Sequence, residues 1–169
     1  VRADNPLYFG MLGQSGHEAA NAAVNECDLL ILVGARVGDR AVANPESLEG
    51  GRQIVHIDID TAEIGKNVGT TVPIVGDARQ VLEQTLELVG EERHDDWIRH
   101  LVELKTAEPT RRDRAGFVNP GSFVRRLCSR LGSESIYVSD VGQNQIWSAR
   151  NYSAGGRFFT TGGMGTMGY

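Results

Sequence analysis

The sequence has little cysteine, no excess of basic residues and no long apolar run, and each absence excludes a class of protein. Two cysteines, Cys27 and Cys128, among 169 residues are too few for a disulfide framework and fit a reducing compartment. A net charge of −5 without a basic stripe argues against nucleic acid as a partner. No apolar run reaches membrane-spanning length, and no basic leader precedes one. We therefore expect a cytoplasmic globular protein with neither nucleic acid nor membrane as a partner.

Neither end of the sequence resembles the natural boundary of a protein. The chain begins at Val1 rather than at methionine, and it stops at Tyr169, directly after a glycine-rich run. Because glycine-rich turns usually lead into another element, we expect this chain to be a fragment of a longer protein.

Apolar runs and helical patterns alternate along the chain in two blocks, separated by the polar stretch 105–116. Strands are predicted at 28–33, 53–58, 71–75, 135–139 and 157–160. Helices are predicted at 17–27, 78–89, 95–104, 120–131 and 145–150. Asp77 and Asn119 are predicted to cap the second and fourth of them, and Val102 and Phe123 are predicted to be buried. The run 28–33 is apolar almost throughout, which is typical of a strand buried on both faces. The alternation predicts an α/β fold with two parallel sheets flanked by helices.

Glycine and charged residues follow three predicted strands. Gly34 and Arg36 come after the first strand, Asp58 and Asp60 end the second, and Asp77 follows the third. Ligands of open parallel sheets bind beyond the carboxyl ends of the strands, where glycine admits a phosphate and arginine adds a charge-assisted contact. Two interpretations fit this pattern: the residues form a nucleotide site, or the acids only cap turns and helices.

Two further loops follow the strands of the second block, at 139–145 and 162–168. Both would lie at one edge of a parallel sheet, where backbone amides can bind a diphosphate and backbone carbonyls can accept from a heteroaromatic amine. Each loop taken alone is more often a turn than a ligand site.

Several segments together resemble acetolactate synthase large subunits, which are thiamine-diphosphate-dependent enzymes, in both order and spacing. The resemblance is carried by GMLGQSGHEAANAAVNECDLLILVGARVGDR, IVHIDIDTAEIGKNV, PIVGDA, SDVGQNQIW and TTGGMGTMGY. It covers nearly the whole chain and is weakest at 91–116. It implies an N-terminally incomplete, Rossmann-like central domain that binds FAD at 1–90. It also implies a helix and linker at 91–117 and the start of a thiamine-diphosphate-binding α/β domain, truncated at its C-terminus, at 118–169.

Matching positions carry the expected site residues. The FAD site would be lined by Gly34, Arg36, Asp58, Ile59 and Asp77. Arg40, beside Asp39, would help to hold the substrate carboxylate. The diphosphate would be contacted by Val141, Gly142, Gln143 and Asn144. The Gly165 carbonyl would accept from the aminopyrimidine, and Met167 would keep the cofactor bent, so that its own imino nitrogen can deprotonate the thiazolium carbon.

The resemblance also implies an activity and partners. Acetolactate synthases condense two pyruvates, or pyruvate and 2-oxobutyrate, to 2-acetolactate or 2-aceto-2-hydroxybutyrate, and they release CO₂, in branched-chain amino acid biosynthesis. The intact enzyme is expected to need Mg²⁺, whose ligands would lie outside this chain, and to form a homo-oligomer, a dimer or tetramer, with scope for a regulatory subunit. The chain alone is expected to be inactive and to contain no metal ligands.

Three positions depart from the usual family pattern. Ser15 stands where a histidine is usual, Gly38 where an aspartate is usual, and Asn144 where another histidine is usual. The first two changes leave FAD, ADP or an empty central domain as alternatives. Glyoxylate carboligase, sulfoacetaldehyde acetyltransferase and oxalyl-CoA decarboxylase therefore stay open as relatives. A nucleotide-binding module without catalysis is a third hypothesis.

Overall fold

The structure is a computed structural model that describes residues 5–109, 112–161 and 165–168. We refer to 5–109 as the first region and to the two later ranges together as the second region. The strands are β1 Leu29–Val33, β2 Gln53–Asp58, β3 Val72–Val75, β4 Ile136–Ser139 and β5 Arg157–Thr160. The helices are α1 Glu18–Glu26, α2 Ala78–Leu88, α3 Asp95–Ala107, α4 Pro120–Cys128 and α5 Gln143–Asn151.

Both sheets are parallel, as the alternating pattern predicted. The first region holds the sheet β1-β2-β3, in which Leu32 lies opposite His56 and Ile57 lies opposite Ile74. In the second region β4 pairs with β5, and Ser139 lies opposite Thr160. Helix α1 precedes the first sheet and α2 follows it, while α5 joins β4 to β5. The α/β class with parallel sheets flanked by helices is therefore confirmed.

The core of the first region lies on one face of its sheet. Its buried members are Leu32, Val37, Leu48, Ile54 and Val68, with Val24, Leu30 and Val42 packed against them. Leu48 comes from a 3₁₀ helix, Pro45–Leu48, that periodicity did not predict because four residues are too short to show a period.

On the other face of this sheet Ile57 of β2 is only 3% exposed, but the part of the face that β1 forms is open in the described part of the chain. On β1, Leu29, Ile31 and Val33 are 48%, 53% and 38% exposed, so the expectation of a strand buried on both faces is wrong here. Helix α2 is capped by Asp77 as predicted, yet it has no buried residue, and its Leu86 is 72% exposed. The apolar residues mark the position of the strand and the helix, but they do not show whether another layer of the protein covers them.

Helix α3 packs along α1 and belongs with the first region. It buries Leu101 and extends to Ala107, so that it takes up the first residues of the predicted linker. Val102, which was expected to be buried, is 44% exposed. His100 and Glu26 join the two helices through a contact of 2.9 Å between Nε2 and Oε2.

Helices α4 and α5 pack on each other in the second region. Asn119 caps α4 as predicted, because its side chain accepts from the Ser122 N–H. Val124 and Cys128 of this helix are buried, whereas Phe123, which was expected to be buried, is exposed. Both cysteines are free thiols. None of the helices in the described ranges combines the length and hydropathy needed to cross a bilayer.

Candidate functional site

The three parallel strands of the first region end at one edge, which brings several predicted site residues together. The Gly34 N–H donates to the Ile57 carbonyl over 2.9 Å, and the Gly76 N–H donates to the Asp58 carbonyl over 3.0 Å. Gly34, Asp58 and the loop that leads to Asp77 therefore lie side by side. Ile59 follows at the same edge and is 74% exposed.

The carboxylates at this edge hold local turns. Asp58 Oδ1 accepts from the Asp60 N–H at 2.9 Å, and Asp60 Oδ1 accepts from the Ala62 N–H at 2.9 Å. Asp77 Oδ1 accepts from two N–H groups of the first turn of α2, at 3.0 and 3.1 Å. These carboxylates therefore cap turns and a helix, as one of the two interpretations expected. Each uses only its Oδ1 for this, so the geometry is compatible with a ligand on Oδ2.

The loop 34–40 contains a strained residue that sequence reasoning missed. Val37 has a φ of +47° and is only 7% exposed. A β-branched residue rarely adopts this left-handed conformation, and such strain occurs preferentially at functional sites. Asn67 fixes the loop by donating from Nδ2 to the Arg36 carbonyl over 2.6 Å. The side chains of Arg36 and Arg40 are exposed and are left available for a ligand.

The glycine cluster at 10–16 packs against the loop 34–40. The Gln14 N–H donates to the Arg40 carbonyl over 3.2 Å. A Cβ added to Gly13 would lie 2.3 Å from that same carbonyl oxygen, so a larger residue would push the two loops apart. Asn21 holds Gly13 from both sides, because its side-chain amide accepts from the Gly13 N–H and donates to the Gly13 carbonyl.

At the edge of the second sheet, Asp140 joins the two predicted cofactor loops. Its Oδ1 accepts from the Val141 N–H at 2.7 Å. Both carboxylate oxygens also lie 3.0 Å from the Gly168 nitrogen, 28 positions along the chain. The loops that follow β4 and β5 therefore form one surface. Sequence reasoning missed this role, and the only available signal was an acid at a strand end.

The predicted diphosphate residues form the beginning of α5. Val141 precedes Gly142, which has a φ of +138°, and the helix begins at Gln143, two residues earlier than predicted. Asn144 donates from Nδ2 to the Asp140 carbonyl over 2.9 Å. No side chain caps this helix end in the described structure, so its N–H groups suit an anion.

The second predicted loop is described from Gly165 onward. Gly165 has a φ of +65°. Met167 is 76% exposed and precedes Gly168, whose N–H donates to Asp140 just before α5 begins. The remaining residues of the predicted glycine motif, Gly162, Gly163 and Met164, lie outside the described residues. No group of three or more histidine, cysteine or acidic side chains suited to a metal occurs in the ranges that the structure describes.

The two regions are joined by residues that the sequence did not single out. Arg150, on α5, donates to the Ser15 and Gly16 carbonyls at 3.3 and 2.7 Å, and it forms an ion pair with Glu108 at the end of α3. The Arg150 carbonyl accepts from His17 Nε2 at 3.1 Å. His17 Nδ1 accepts from the Met11 N–H, so this ring bonds to both regions.

Comparison with known proteins identifies the family. The model of the thiamine pyrophosphate enzyme central domain matches residues 1–85. The chain is 40% identical over 178 residues to the probable acetolactate synthase large subunit of Methanocaldococcus jannaschii, which covers 98% of this chain and 30% of that protein. It is 36% identical over 172 residues to the Escherichia coli K12 acetolactate synthase isozyme 2 large subunit, with coverage of 100% and 31%.

A third relative shows the same pattern. The acetolactate synthase large subunit of Lactococcus lactis is 38% identical over 172 residues, which cover 96% of this chain and 29% of that protein. The chain thus spans about three tenths of the length of these relatives, and the expected resemblance to acetolactate synthase large subunits is confirmed. With half of its length matched by the central-domain model, the chain belongs to the family of thiamine pyrophosphate enzymes.

Proposed function

We propose that this chain is the middle part of an acetolactate synthase large subunit. In this proposal the whole enzyme condenses two pyruvates, or pyruvate and 2-oxobutyrate, and releases CO₂ in branched-chain amino acid biosynthesis. The proposed division places the central domain at 1–90, a helix and linker at 91–117, and the start of the cofactor domain at 118–169. The observation that carries the proposal is the Asp140 carboxylate, which joins two loops at one sheet edge beside an uncapped helix end.

Thiamine diphosphate is the proposed cofactor of that surface. The N–H groups at the start of α5 would hold its diphosphate, at Val141, Gly142, Gln143 and Asn144. Gly165 would accept from the aminopyrimidine, and the exposed Met167 would support the bent cofactor. Bound there, thiamine diphosphate supplies an electron sink for loss of CO₂ from a 2-oxo acid. We place the ligands of Mg²⁺ outside this chain.

FAD is the proposed ligand of the edge of the first sheet. The residues that would hold it are Gly34, Arg36, Asp58, Ile59 and Asp77. Gly34 has a φ of +58°, and a Cβ there would meet nothing within 4 Å, so the backbone is open to a phosphate. Arg40 would hold the substrate carboxylate through its exposed guanidinium. Ser15 and Gly38 keep ADP as the alternative nucleotide.

The remaining proposals concern the setting of the enzyme. We propose a cytoplasmic homo-oligomer, either a dimer or a tetramer, with a regulatory subunit as a further partner. The relatives' description as large subunits supports the last point. Size-exclusion chromatography with light scattering on the full-length protein would measure the oligomeric state.

The activity is tested with the full-length protein that contains this chain, supplied with pyruvate, thiamine diphosphate, Mg²⁺ and FAD. We expect 2-acetolactate as the product. Met167→Ala should lower kcat by roughly tenfold or more, because the loss of an oriented intramolecular proton transfer has effects of at least that size. Met167→Leu, which keeps the side-chain volume, is the matched control and should retain most of the activity.

Other products would change the assignment. Condensation of glyoxylate, or decarboxylation of oxalyl-CoA, without acetolactate from pyruvate would favour the corresponding relative. Binding of a nucleotide without turnover of any of these substrates would favour a noncatalytic module.

A further inference from the structure

A cleft of about 670 Å³ lies between the two regions, and its described lining residues include none of the strand ends of either sheet. Its walls come from residues 8–17, the end of α3, the start of α4 and the end of α5. Among the described residues that line it, none is proposed above for FAD or thiamine diphosphate. The volume falls within the range typical of small-molecule sites, about 300–1,000 Å³.

The cleft carries an excess of positive charge. Arg150 is neutralised by Glu108, the one acidic residue among the described lining residues. Lys105 donates from Nζ to the Tyr8 carbonyl over 2.7 Å. Arg125 donates to the Asn151 side-chain oxygen and, over 3.2 Å, to Ser122 Oγ. Lys105 and Arg125 thus bind only neutral oxygens within the described ranges, so two positive charges face the cleft without a carboxylate.

Flat aromatic side chains lie in the same walls. Tyr8, Phe9 and Trp147 line the cleft, and the Lys105 Nζ lies 5.7 Å from the centroid of the Phe9 ring. The amide side chain of Asn151 adds hydrogen-bonding capacity beside Arg125. A ligand that combines a planar ring with a strong anion is therefore complementary to the walls.

We propose that this cleft binds a nucleoside monophosphate, with its phosphate between Lys105 and Arg125 and its base against the aromatic side chains. A phosphate monoester carries about −1.5 to −2 charges near neutral pH, which matches the two uncompensated cations. A simple carboxylate would neutralise only one of them. The residues proposed for FAD lie at or just beyond the ends of β1, β2 and β3, and none of them is among the described lining residues of the cleft.

The test is a calorimetric titration of the full-length protein that contains this chain with adenosine 5′-monophosphate at low salt. Lys105→Met and Arg125→Gln should each weaken binding by roughly tenfold or more, because each removes a charge-assisted hydrogen bond. Arg126→Gln, on the same helix but outside the cleft, is the matched control and should leave the affinity within about twofold. Adenosine and ribose 5-phosphate should each bind at least about tenfold more weakly than the nucleotide.

Three results would overturn the proposal. The first is the absence of binding at millimolar nucleotide. The second is that ribose 5-phosphate binds as tightly as the nucleotide, which would show that the aromatic side chains of the cleft do not contact a base. The third is loss of binding in Arg36→Gln but not in Arg125→Gln, which would place the nucleotide at the edge of the first sheet instead. Circular dichroism shows whether each variant is folded. If Lys105→Met is unfolded, the affinity of Arg125→Gln decides the proposal.

Discussion

The two regions use acidic residues at strand ends in different ways. In the first region Asp58, Asp60 and Asp77 accept from N–H groups only two or three positions along the chain. In the second region Asp140 accepts from Gly168, 28 positions away. Local bonds shape single turns, whereas the distant bond fixes two loops relative to each other. The loops at the edge of the second sheet are therefore held relative to each other by a bond that the acids of the first edge do not make.

The regions also differ in how their cores are built. The first buries an aliphatic cluster around Ile54 and Leu48, each 1% exposed. The second has fewer buried aliphatic residues and packs the rings of Tyr137, Tyr152 and Phe158 together, with ring centroids 5.3–5.6 Å apart. In the described residues the stability of the first region thus depends more on close aliphatic packing, and the following predictions test that contrast.

The largest expected effect is in the aliphatic core. Ile54→Ala should lower the free energy of unfolding by about 4 kcal/mol, because it leaves a cavity in a closely packed cluster. Ile136→Ala is the matched change in the second sheet, at a side chain that is 64% exposed, and should cost about 1 kcal/mol or less. Urea denaturation of both variants measures the difference. Equal losses would show that the two sheets contribute alike.

The next effect concerns the contact between the regions. Arg150→Met should lower the free energy of unfolding by about 3 kcal/mol, because it leaves the mostly buried carboxylate of Glu108 without its partner. The double variant Arg150→Met with Glu108→Gln should recover part of that loss. Thermal denaturation of the single and double variants decides this point. Full additivity of the two changes would contradict a direct coupling.

A smaller effect is expected at the helix caps. Asn119→Ala and Asp77→Ala each remove an N-cap, a change that typically costs about 1 kcal/mol. Since α4 buries residues and α2 buries none, the loss at Asn119 should appear in global unfolding. The loss at Asp77 should appear mainly as faster amide exchange within α2. Slower exchange in α2 than in α4 of the unmodified chain would contradict this distinction.

The smallest effect at neutral pH is expected at Tyr152. Its hydroxyl is buried without a hydrogen-bond partner in the described part of the chain. Burial, with a smaller contribution from Cys128, raises the pKa of Tyr152 above its ordinary value. Tyr152→Phe should therefore change the free energy of unfolding by less than about 1 kcal/mol near neutral pH.

The same variant should behave differently in alkali. Since the folded pKa of Tyr152 exceeds the unfolded one, its contribution is complete below the unfolded pKa of about 10 and is lost as pH rises through the folded pKa. The variant should lose less stability than the unmodified chain between about pH 9 and 11. Parallel pH profiles for the two proteins would count against a protonated, buried phenol.

Much of the architecture was predictable because local pattern and final structure agree. Strand ends at Val33 and Asp58, the caps Asp77 and Asn119, and the shared edge of β4 and β5 follow from the sequence. The exposed face of β1 was not predictable, because the hydropathy of a side chain does not show which other elements pack on it.

The site was less predictable, because its key contacts are long-range. Arg150 meets Gly16 across 134 positions and Asp140 meets Gly168 across 28, and no local spacing marks such pairs. Val37 was not predicted for a different reason. Valine rarely adopts a left-handed backbone, so the residue type gives no sign of the conformation that the fold imposes here.

The account depends most on the claim that Asp140 holds two loops together to bind thiamine diphosphate. The direct measurement is calorimetric titration of thiamine diphosphate with Mg²⁺ into the full-length protein, for Asp140→Ala and for Asp77→Ala at the other sheet. We predict that Asp140→Ala weakens binding by roughly tenfold or more, whereas Asp77→Ala changes it less than about threefold. Unchanged affinity in a folded Asp140→Ala variant would contradict the account.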